Sequence, residues 1–366
     1  MARAVALFSG GLDSLLAILI VLKHGIEVKA LKFITQFGCE SPTSSKNISL
    51  VADKLGFEIK LIDLSDRFIE IVKSPKFGYG KNMNPCLDCK ILMLKEAKMF
   101  MNTIGADFIA TGEVLGQRPM SQRRDVLNLI DREAGVKGYV LRPLSAKLLK
   151  VTIPEAEGIV KKEMLYGFNG RSRKSQIGLA KEYGLTDYPT PAGGCLLTEP
   201  NYVHRLKDLL MYNPAPEMRD INLLRVGRHF RFSPLCKIIV GRDKVENDAI
   251  SSLSGNGDCL LKVEGYGSPI TLVTGEITDE AISVAASLCA RYSDAKHLSE
   301  VEAIVIKDRN ALCVMRNELK DKNASRVTHH GLRITDYEFR IKVSPASNEI
   351  IEALRIELKS PLTKIQ

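Results

Sequence analysis

The chain has 366 residues and carries 52 Lys and Arg against 43 Asp and Glu, which gives a formal net charge of +9. Hydrophobic residues make up 45% and charged residues 26%, the balance of an ordinary globular protein, so a mainly disordered chain is excluded. At about 100–200 residues per domain this length predicts two or three domains, and the basic excess points either to a polyanion such as nucleic acid or to an ordinary solvated surface.

Strand and helix patterns alternate along the N-terminal half of the chain. Strands separated by helices of this length form right-handed crossovers, so the sequence predicts an α/β fold, a doubly wound parallel sheet with helices on both faces. Ligands bind such sheets at the carboxyl ends of the strands, where Ser9, Phe33 and Gly112 fall. The predicted strands are Val5–Phe8, Val28–Phe33, Glu58–Leu64 and Asp107–Ala110, and the predicted helices are Asp13–Lys23, Ile48–Leu55 and Pro85–Met101.

The pattern changes after a segment with two prolines, Tyr212–Pro216. Proline resists both helix and central strand, so this segment is the predicted linker. The expected organisation is an α/β domain over residues 1–212, a linker over 213–220 and an α+β domain over 221–366. In the second domain the predicted strands are Lys237–Gly241, Cys259–Glu264, Ile270–Thr274, Ala303–Lys307 and Ala311–Met315, and the predicted helices are Asp279–Tyr292 and Ser347–Leu358.

A glycine-rich hexamer, Ser9-Gly10-Gly11-Leu12-Asp13-Ser14, lies between the first predicted strand and the first predicted helix. Glycines let the backbone approach an anion closely, and free amides at a helix start point towards it. Ser9 and Ser14 add hydroxyl donors, while Asp13 either caps the helix or holds a metal-bound phosphate. The hexamer lacks the Gly-Lys-Ser/Thr of a Walker loop, so a kinase or motor of that type is not indicated. An ordinary Gly-Gly turn is the alternative interpretation.

The pattern Ser-Gly-Gly-x-Asp-Ser resembles the PP-loop of the ATP pyrophosphatases, which adenylate a substrate oxygen and release pyrophosphate. The resemblance implies that ATP and Mg²⁺ are cofactors and that Asp13 also takes part in catalysis. A loop that stabilises the charge developing on the leaving pyrophosphate lowers the barrier to this step. The residues that the resemblance assigns to ATP are Ser9, Gly10, Gly11, Asp13 and Ser14.

A second stretch, Thr111–Gln122, follows the fourth predicted strand. It resembles the tRNA 4-thiouridine synthetases, in which the matching glycine and second glutamine contact ATP. The resemblance implies that role for Gly112 and Gln122. A polar loop over the sheet edge is the other explanation for the two glutamines. The ATP-binding residues implied beyond the loop are Phe33, Lys90, Gly112, Gln117 and Gln122.

The chain has eight cysteines, too few for a disulfide scaffold, and two of them occur in the run Asn84–Lys90, Asn-Pro-Cys-Leu-Asp-Cys-Lys. Proline suits a first helical turn, and the i, i+3 spacing places Cys86 and Cys89 on one helix face. A helix N-terminus and the neighbouring Lys90 are expected to lower the thiol pKa. A lone Cys-x-x-Cys leaves zinc, redox and iron–sulfur chemistry open. Cys195, in a glycine-rich turn, is the third candidate.

This arrangement resembles the tRNA 2-thiouridylases, which have Asn-Pro-Cys-x-x-Cys on a helix and a distant Gly-x-Cys. The resemblance implies catalytic roles for Cys89 and Cys195, and Cys86 marks a three-cysteine subtype. Three thiolates at Cys86, Cys89 and Cys195 would hold three irons of a 4Fe–4S cluster and leave the fourth open for sulfide. A persulfide or disulfide relay and a structural zinc are the alternatives. The remaining cysteines, expected to be buried hydrophobes, are Cys39, Cys236, Cys259, Cys289 and Cys313.

Basic residues cluster twice near these motifs, where they would bind phosphates without sequence specificity or simply form a solvated face. In the second domain, Ile239–Asp248 resembles the Val-Gly-Arg…Asn-Asp stretch of the RNA-binding domain in NFACT proteins of ribosome quality control. The 4-thiouridine synthetases carry an N-terminal RNA-binding module, whereas here the first strand starts at Val5, so the fusion order departs from that family. His329-His330 lacks further ligands at metal-binding spacing and is expected in a solvated loop. The clusters are Arg118, Arg123 and Arg124, and Arg171, Arg173 and Lys174.

These patterns predict an ATP-dependent RNA thiolation enzyme, a tRNA sulfurtransferase that adenylates a uridine carbonyl oxygen and replaces it with sulfur. Its expected partners are tRNA and a sulfur donor, either sulfide or a persulfide carrier protein, and a homodimer is left open. One alternative is a PP-loop enzyme that adenylates a small molecule for sulfur or nitrogen transfer, with the second domain for oligomerisation. Another is an RNA-binding adaptor with a degenerate nucleotide fold. No stretch approaches the roughly 20 apolar residues of a membrane span, so a cytoplasmic location without membrane contact is expected.

Overall fold

The computed structural model describes residues 1–38, 52–185, 194–308 and 336–357. It consists of two compact units, Met1–Glu199 and Pro200–Gln366. The boundary falls before the helix at residues 200–212, not after it as predicted, because this helix bonds to the second unit. The Arg205 guanidinium donates to the Leu224 carbonyl (2.8 Å), and Asp208 accepts from Arg231 (3.1 Å). The predicted strand Ala311–Met315 lies outside the described residues, and so does the first half of the predicted helix Ile48–Leu55, whose residues 52–55 are helical.

A five-stranded sheet with parallel pairing forms the centre of the first unit, in the order β3-β2-β1-β4-β5. This confirms the predicted doubly wound fold. The strand order reverses beside β1, so the carboxyl ends of β1 and β4 border the switch point at which such sheets bind ligands. The strands are β1 Arg3–Leu7, β2 Glu27–Ile34, β3 Glu58–Asp63, β4 Phe108–Thr111 and β5 Val140–Leu141.

Helices cover both faces of this sheet because successive strand residues point to opposite sides. In β1, Ala4 and Ala6 belong to one core cluster and Val5 between them belongs to another. The first cluster contains residues of α1 and α6, and the second contains residues of α3 and α4. The sequence analysis predicted helices α1 and α3 of this unit, but it did not predict α2 and α4. The helices are α1 Leu12–Lys23, α2 Ser65–Lys73, α3 Cys86–Ile104, α4 Arg124–Glu133, α5 Ile153–Ala156 and α6 Lys174–Glu182.

Helices α1 and α6 lie side by side and run in the same direction. Lys23, the last residue of α1, places its ammonium 3.4 Å from the ring centre of Tyr183, which directly follows α6. Leu179 and Ala180 of α6 share the core cluster of α1. Since the C-termini meet and each residue adds about 1.5 Å of helix, the two N-termini lie at the same end of the sheet.

The second unit contains a six-stranded antiparallel sheet in the order β11-β10-β8-β9-β7-β6, which confirms the predicted α+β class. Helix α10 packs on this sheet and supplies Ala285, Ala286 and Leu288 to its core. Strands β6 and β11 were not predicted. The elements are α7 Pro200–Tyr212, α8 Met218–Leu223, β6 Arg228–Ser233, β7 Cys236–Val240, α9 Lys244–Leu253, β8 Cys259–Val263, β9 Thr271–Gly275, α10 Asp279–Arg291, β10 Val301–Asp308, β11 Asp336–Val343 and α11 Asn348–Leu354.

Three of the cysteines expected in the core are buried, namely Cys236, Cys259 and Cys289. Cys39 and Cys313, like His329-His330, lie outside the described residues. Within the described ranges, no helix is both long enough and apolar enough to cross a membrane.

Candidate functional site

The glycine-rich hexamer forms a tight turn between β1 and α1. Gly10 has a φ of 79°, a left-handed conformation that favours glycine. The Ser14 hydroxyl donates to the Gly11 carbonyl (2.8 Å), and the hydroxyl oxygens of Ser9 and Ser14 are 3.2 Å apart. Among the described residues no side chain caps the start of α1, so Asp13 does not play the capping role considered from the sequence. The first turn of α1 is therefore available to an anionic ligand.

The loop after β4 presses directly against this turn at Gly112. A Cβ atom at Gly112 would lie 2.4 Å from the Ser14 amide nitrogen and 2.5 Å from the Asp13 carbonyl carbon. Only glycine fits at that distance. The structure thus assigns Gly112 to the joint between the loops that follow β1 and β4, and its contact with ATP stays a prediction.

Gln117 reaches the hexamer from the same loop. Its side-chain amide nitrogen donates to Asp13 Oδ2 (2.9 Å). The second oxygen of Asp13 and the amide oxygen of Gln117 are buried without a hydrogen-bond partner in the part of the chain that the structure describes. Buried polar atoms normally have partners, so this pair suits a site that receives a ligand. A carboxylate oxygen is also a suitable ligand for Mg²⁺.

Gln122 shapes the loop instead of extending from it. Its buried side-chain oxygen accepts from the Arg118 amide (3.0 Å), and its backbone carbonyl accepts from the Gly116 amide (2.8 Å). These bonds close residues 116–122 into one turn. The geometry therefore gives Gln122 a positioning role, and a direct contact between Gln122 and ATP stays a prediction.

A buried charged network, which the sequence analysis missed, continues from this loop. Lys90 pairs with Glu113 (3.4 Å), and Arg142 donates to Glu113 (3.0 Å) and forms a bidentate pair with Asp131 (2.9 and 2.8 Å). Burial alone would raise the pKa of Glu113, but Lys90 and Arg142 outweigh it and lower the pKa. Lys90, predicted to contact ATP, thus has a carboxylate partner and lies beside Cys89 in the sequence. The sequence offers one signal for this network, the run Leu141-Arg142-Pro143-Leu144, which places an arginine among apolar residues at the end of β5.

Helix α3 begins with the two neighbouring cysteines. The Asn84 amide donates to Cys86 Sγ (3.1 Å), and both Cys86 and Cys89 are half-buried. Cys195 reaches the same unit through backbone pairing with Gly38, just beyond the end of β2. Asn82, which precedes α3, donates to the carbonyl of Thr198 (2.7 Å). The segments that carry the three thiols are thus tied together.

The surroundings of Cys89 connect the cysteines with the loop after β4. Burial raises the pKa of Cys89 to about 12; Lys90 and Arg118 act to lower it, and Cys195 and Cys86 act to raise it further. The expected lowering of the thiol pKa is therefore wrong for Cys89, because burial outweighs the nearby cations. The same interactions show that the three cysteines and Arg118 lie near one another. Within the described ranges, however, no three His, Cys, Asp or Glu side chains are close enough together to hold a metal ion.

The other predicted residues have more ordinary surroundings. Phe33, near the end of β2, is half-buried and pairs in register with Ile62. Arg123 pairs with Asp125 (2.6 Å). Arg124 donates to the Leu148 carbonyl (2.8 Å), and Arg171 and Lys174 are exposed at and before the start of α6. The N-terminus of α6 lies at the same end of the sheet as the hexamer, which supports the predicted closeness of this basic cluster to the loop.

The Val-Gly-Arg…Asn-Asp stretch of the second unit forms a structural clamp. The Asn247 side-chain oxygen accepts from the Ile270 amide (2.9 Å), which ties α9 to the approach to β9. A Cβ at Gly241 would lie 2.1 Å from that oxygen, so the clamp requires glycine there. Arg242 pairs with Glu246 (2.5 Å), and Asp243 caps α9 by accepting from the Glu246 amide (2.9 Å).

The parallel sheet, the uncapped loop after β1 and the joint with β4 define the first unit as an α/β domain of the PP-loop class. Comparison with protein families makes the assignment specific. Residues 1–156 match the family described as "Thiamine biosynthesis protein (ThiI)", and residues 227–327 match the "NFACT protein RNA binding domain". Residues 1–156 are thus similar to a ThiI-type PP-loop domain and residues 227–327 to an NFACT RNA-binding domain, the two resemblances that the sequence motifs indicated.

Among characterised proteins the chain is similar to tRNA-specific 2-thiouridylases MnmA. The enzyme from Listeria monocytogenes is 22% identical over 328 residues, which cover 81% of this chain and 85% of the relative. The enzyme from Sulfurimonas denitrificans is 34% identical over 113 residues, which cover 29% of this chain and 33% of the relative. A third, from Pseudomonas fluorescens, is 24% identical over 62% of this chain and 60% of the relative. The chain therefore spans less than two thirds of several of these relatives.

Solved structures give low overall similarity. A 4-thiouridine synthetase in complex with RNA and ATP has a TM-score of 0.34 and 20% identity, over 51% of this chain and 54% of that one. The U34-tRNA thiolase NcsA from Methanococcus maripaludis, solved with its [4Fe-4S] cluster, has a TM-score of 0.30 and 16% identity, over 61% of this chain and 73% of that one.

Proposed function

We propose that the chain is an ATP-dependent tRNA thiolation enzyme. The observation that carries this proposal is the connection between its two predicted half-sites. The Gln117–Asp13 hydrogen bond joins the loop after β4 to the PP-loop, and Arg118, the next residue, lies near Cys89. These contacts support a single site in which the proposed ATP-binding loop and the group of thiols would act together, as activation of an oxygen followed by its replacement with sulfur requires. The similarity to the MnmA relatives points to tRNA as substrate.

The proposed reaction has two steps. The carbonyl oxygen of a uridine attacks the α-phosphorus of ATP, the bond to the β-phosphate oxygen breaks, and pyrophosphate leaves with that electron pair. A sulfur nucleophile then attacks the activated uridine carbon, and AMP leaves with the former carbonyl oxygen. Adenylation is needed because the oxygen of an unactivated carbonyl is a poor leaving group.

The residues near the loop support the first step. Ser9, Gly10, Gly11 and Ser14 would surround the phosphates with hydroxyl and amide donors, which act most strongly on the charge that develops as pyrophosphate leaves. Asp13, with one oxygen already bonded to Gln117, would turn its unpartnered oxygen to Mg²⁺. The adenine would lie near Phe33 at the end of β2. Lys90, Gly112 and Gln122 complete the proposed ATP site, the last two by fixing the loops.

The three thiols Cys86, Cys89 and Cys195 support the second step. The three thiols are not close enough together to hold a single metal ion; all-sulfur donors suit iron, so these residues would be the ones to hold the larger 4Fe–4S cluster, which when bound supplies an open iron for sulfide. A persulfide on Cys89 or Cys195, passed on by a carrier protein, is the alternative. After its outer sulfur has attacked the uridine carbon, the thiolate of the other cysteine would attack the inner sulfur, and the thiouridine would leave with the electron pair of the S–S bond. The resulting Cys89–Cys195 disulfide would be reduced by an external thiol. When substrate or cluster is bound beside Cys89, the positive charges of Lys90 and Arg118 would stabilise the Cys89 thiolate.

Nucleoside mass spectrometry of RNA from cells lacking the gene tests the function directly. A missing thiouridine that returns when the intact gene is restored supports the proposal, whereas an unchanged nucleoside profile contradicts it. Cys86→Ala, Cys89→Ala and Cys195→Ala should each fail to restore it. ATP–pyrophosphate exchange that needs no RNA would favour the small-molecule alternative, and absence of exchange with RNA present would favour a non-enzymatic adaptor.

Anaerobic purification separates the two sulfur routes. A brown protein with a broad absorption band near roughly 400 nm supports the cluster, since thiolate-bound iron absorbs there. A colourless protein that thiolates RNA at full rate contradicts the cluster and favours the persulfide.

A further inference from the structure

A basic cleft lies along the edge of the first sheet, away from the PP-loop motifs. It has a volume of about 290 Å³ and is bounded by α4, the edge strand β5 and residues 146–155. Five cationic side chains line it, against two carboxylates. The cations are Arg124, Arg132, Lys137, Arg142 and Lys150, and the carboxylates are Asp131 and Glu155.

Both carboxylates accept hydrogen bonds. Asp131 receives two hydrogen bonds from Arg142 (2.9 and 2.8 Å), and this pair is buried. Glu155 accepts from the amide and the hydroxyl of Thr152 (2.9 and 2.6 Å) in the capping box of α5. The Asp131 charge is therefore paired, whereas Glu155 keeps one buried oxygen without a hydrogen-bond partner among the described residues, so a single unpaired carboxylate faces the four cations on the rim of the cleft.

The rim cations keep their charge available to a ligand. Arg124, Arg132, Lys137 and Lys150 are all exposed. The nearest carboxylate to Arg132 is Glu133 at 3.9 Å, which Lys76 already holds at 2.6 Å. Of the described carboxylates, none pairs with Lys137 or Lys150. Four exposed cations around one concave surface attract a chain of anions more strongly than scattered charges do.

We propose that this cleft binds phosphodiester groups of the RNA substrate. The inference rests on the proposed function, because it names the surface that would hold the tRNA backbone. RNA is favoured over an acidic protein because the same chain carries an NFACT RNA-binding domain at residues 227–327. Lys and Arg are also the side chains that commonly contact phosphate oxygens and so set the register of a nucleic acid.

The cleft is physically connected to the candidate site. Arg142 lines the cleft and donates to Glu113 (3.0 Å), and Glu113 pairs with Lys90 (3.4 Å), the residue next to Cys89. An RNA backbone held in the cleft would therefore be linked to the cysteines through the charged residues Arg142, Glu113 and Lys90. This placement lets the cleft position RNA for the reaction without contacting the reacting atoms.

The salt dependence of tRNA binding by the full chain tests this inference. Each phosphate contact contributes about 0.9 to the slope of log affinity against log salt concentration on a duplex. The triple variant Arg132→Ala/Lys137→Ala/Lys150→Ala should lower the magnitude of that slope by about 2 to 3 between about 50 and 200 mM salt. Fluorescence anisotropy with labelled bulk tRNA measures the slope, and thermal unfolding verifies that the variant folds.

A matched control removes three exposed lysines that do not line the cleft, Lys54→Ala/Lys162→Ala/Lys181→Ala. Lys54 precedes β3, Lys181 lies in the last turn of α6, and Lys162 follows Lys161, whose carbonyl lies 3.3 Å from the ring of His24 at the end of α1. The control changes the net charge equally, so its slope should stay that of the unchanged protein if the cleft is the site.

The outcomes distinguish this inference from the proposed function. If the unchanged protein binds tRNA and both variants keep its slope, or both lose it equally, the cleft is not the site and the proposed function stands. If the cleft variant keeps its slope but no longer binds an acidic carrier protein, the cleft is a protein-docking surface and the RNA inference is overturned. If the unchanged protein does not bind tRNA even at low salt, the proposed function itself fails.

Discussion

Substitution of Gly112 by alanine should uncouple the two loops of the ATP site. The new Cβ would lie 2.4 Å from the Ser14 nitrogen and 2.6 Å from the Asp13 oxygen, whereas ordinary contact begins at 3.4 Å. The loops would therefore have to separate by about 1 Å, and all three of the close atoms belong to backbone that cannot rotate away. Overpacking of this kind costs about 1–3 kcal/mol of stability, and a 1 Å misplacement of a reacting group costs roughly 100-fold in rate.

The assay is ATP–pyrophosphate exchange in the presence of tRNA, together with urea unfolding. Gly112→Ala should lower exchange by about 100-fold while the protein stays folded. Gly178→Ala is the matched control, because a Cβ at Gly178 in α6 meets no atom within 4 Å. That variant should keep its exchange rate and gain slightly in stability from the better helix former. An active Gly112→Ala protein would refute the close coupling of the loops after β1 and β4.

Three further predictions follow from the contacts of single residues. Gln117→Leu removes the donor to Asp13, so ATP affinity measured by calorimetry should fall about tenfold, and an unchanged affinity would place ATP elsewhere. Arg142→Met leaves the buried Asp131 unpaired and Glu113 with Lys90 alone, and it should lower the free energy of unfolding by about 3–5 kcal/mol in urea; a loss below about 1 kcal/mol would show that the network is not desolvated. Burial lowers the pKa of Lys237 to about 7. Because the unfolded chain binds that proton up to about pH 10, stability should rise between about pH 7 and 10 by at most about 1.4 kcal/mol per unit, and Lys237→Met should abolish that part of the rise.

The order of elements in the first unit could be predicted because the sequence signals were local. The apolar run of β1, the glycine hexamer and the following helix each specify their own structure, and together they predict a parallel sheet. Helix α4 was missed because its apolar positions Leu127 and Ile130 alternate with charges that resemble a solvated loop. The division between the units was misplaced for another reason. The partners of α7, such as Leu224, come later in the chain, and no local pattern shows with which unit a helix packs.

The candidate site was predictable by residue type but not by role. The motifs singled out Asp13, Gln117 and the three cysteines; the structure bonds Gln117 to Asp13 and places the cysteines near one another, and their functional roles stay predictions. Whether the Gln122 side chain contacts a ligand or its own loop depends on the conformation of residues 116–122. The spacing of residues in the sequence does not determine that conformation. The thiol pKa was misjudged because a sequence shows the neighbouring Lys90 but not the burial of Cys89, and burial has the larger effect.

The clamp between Gly241 and Asn247 gives the Val-Gly-Arg…Asn-Asp motif a structural role. The glycine lacks a side chain because the amide occupies that space, and the amide in turn fixes the approach to β9. A protein that has both Gly241 and Asn247 can form this contact with the antiparallel sheet, whatever ligand its surface binds. The motif is therefore a marker of architecture, and differences in RNA preference between proteins that share it must come from side chains outside the clamp.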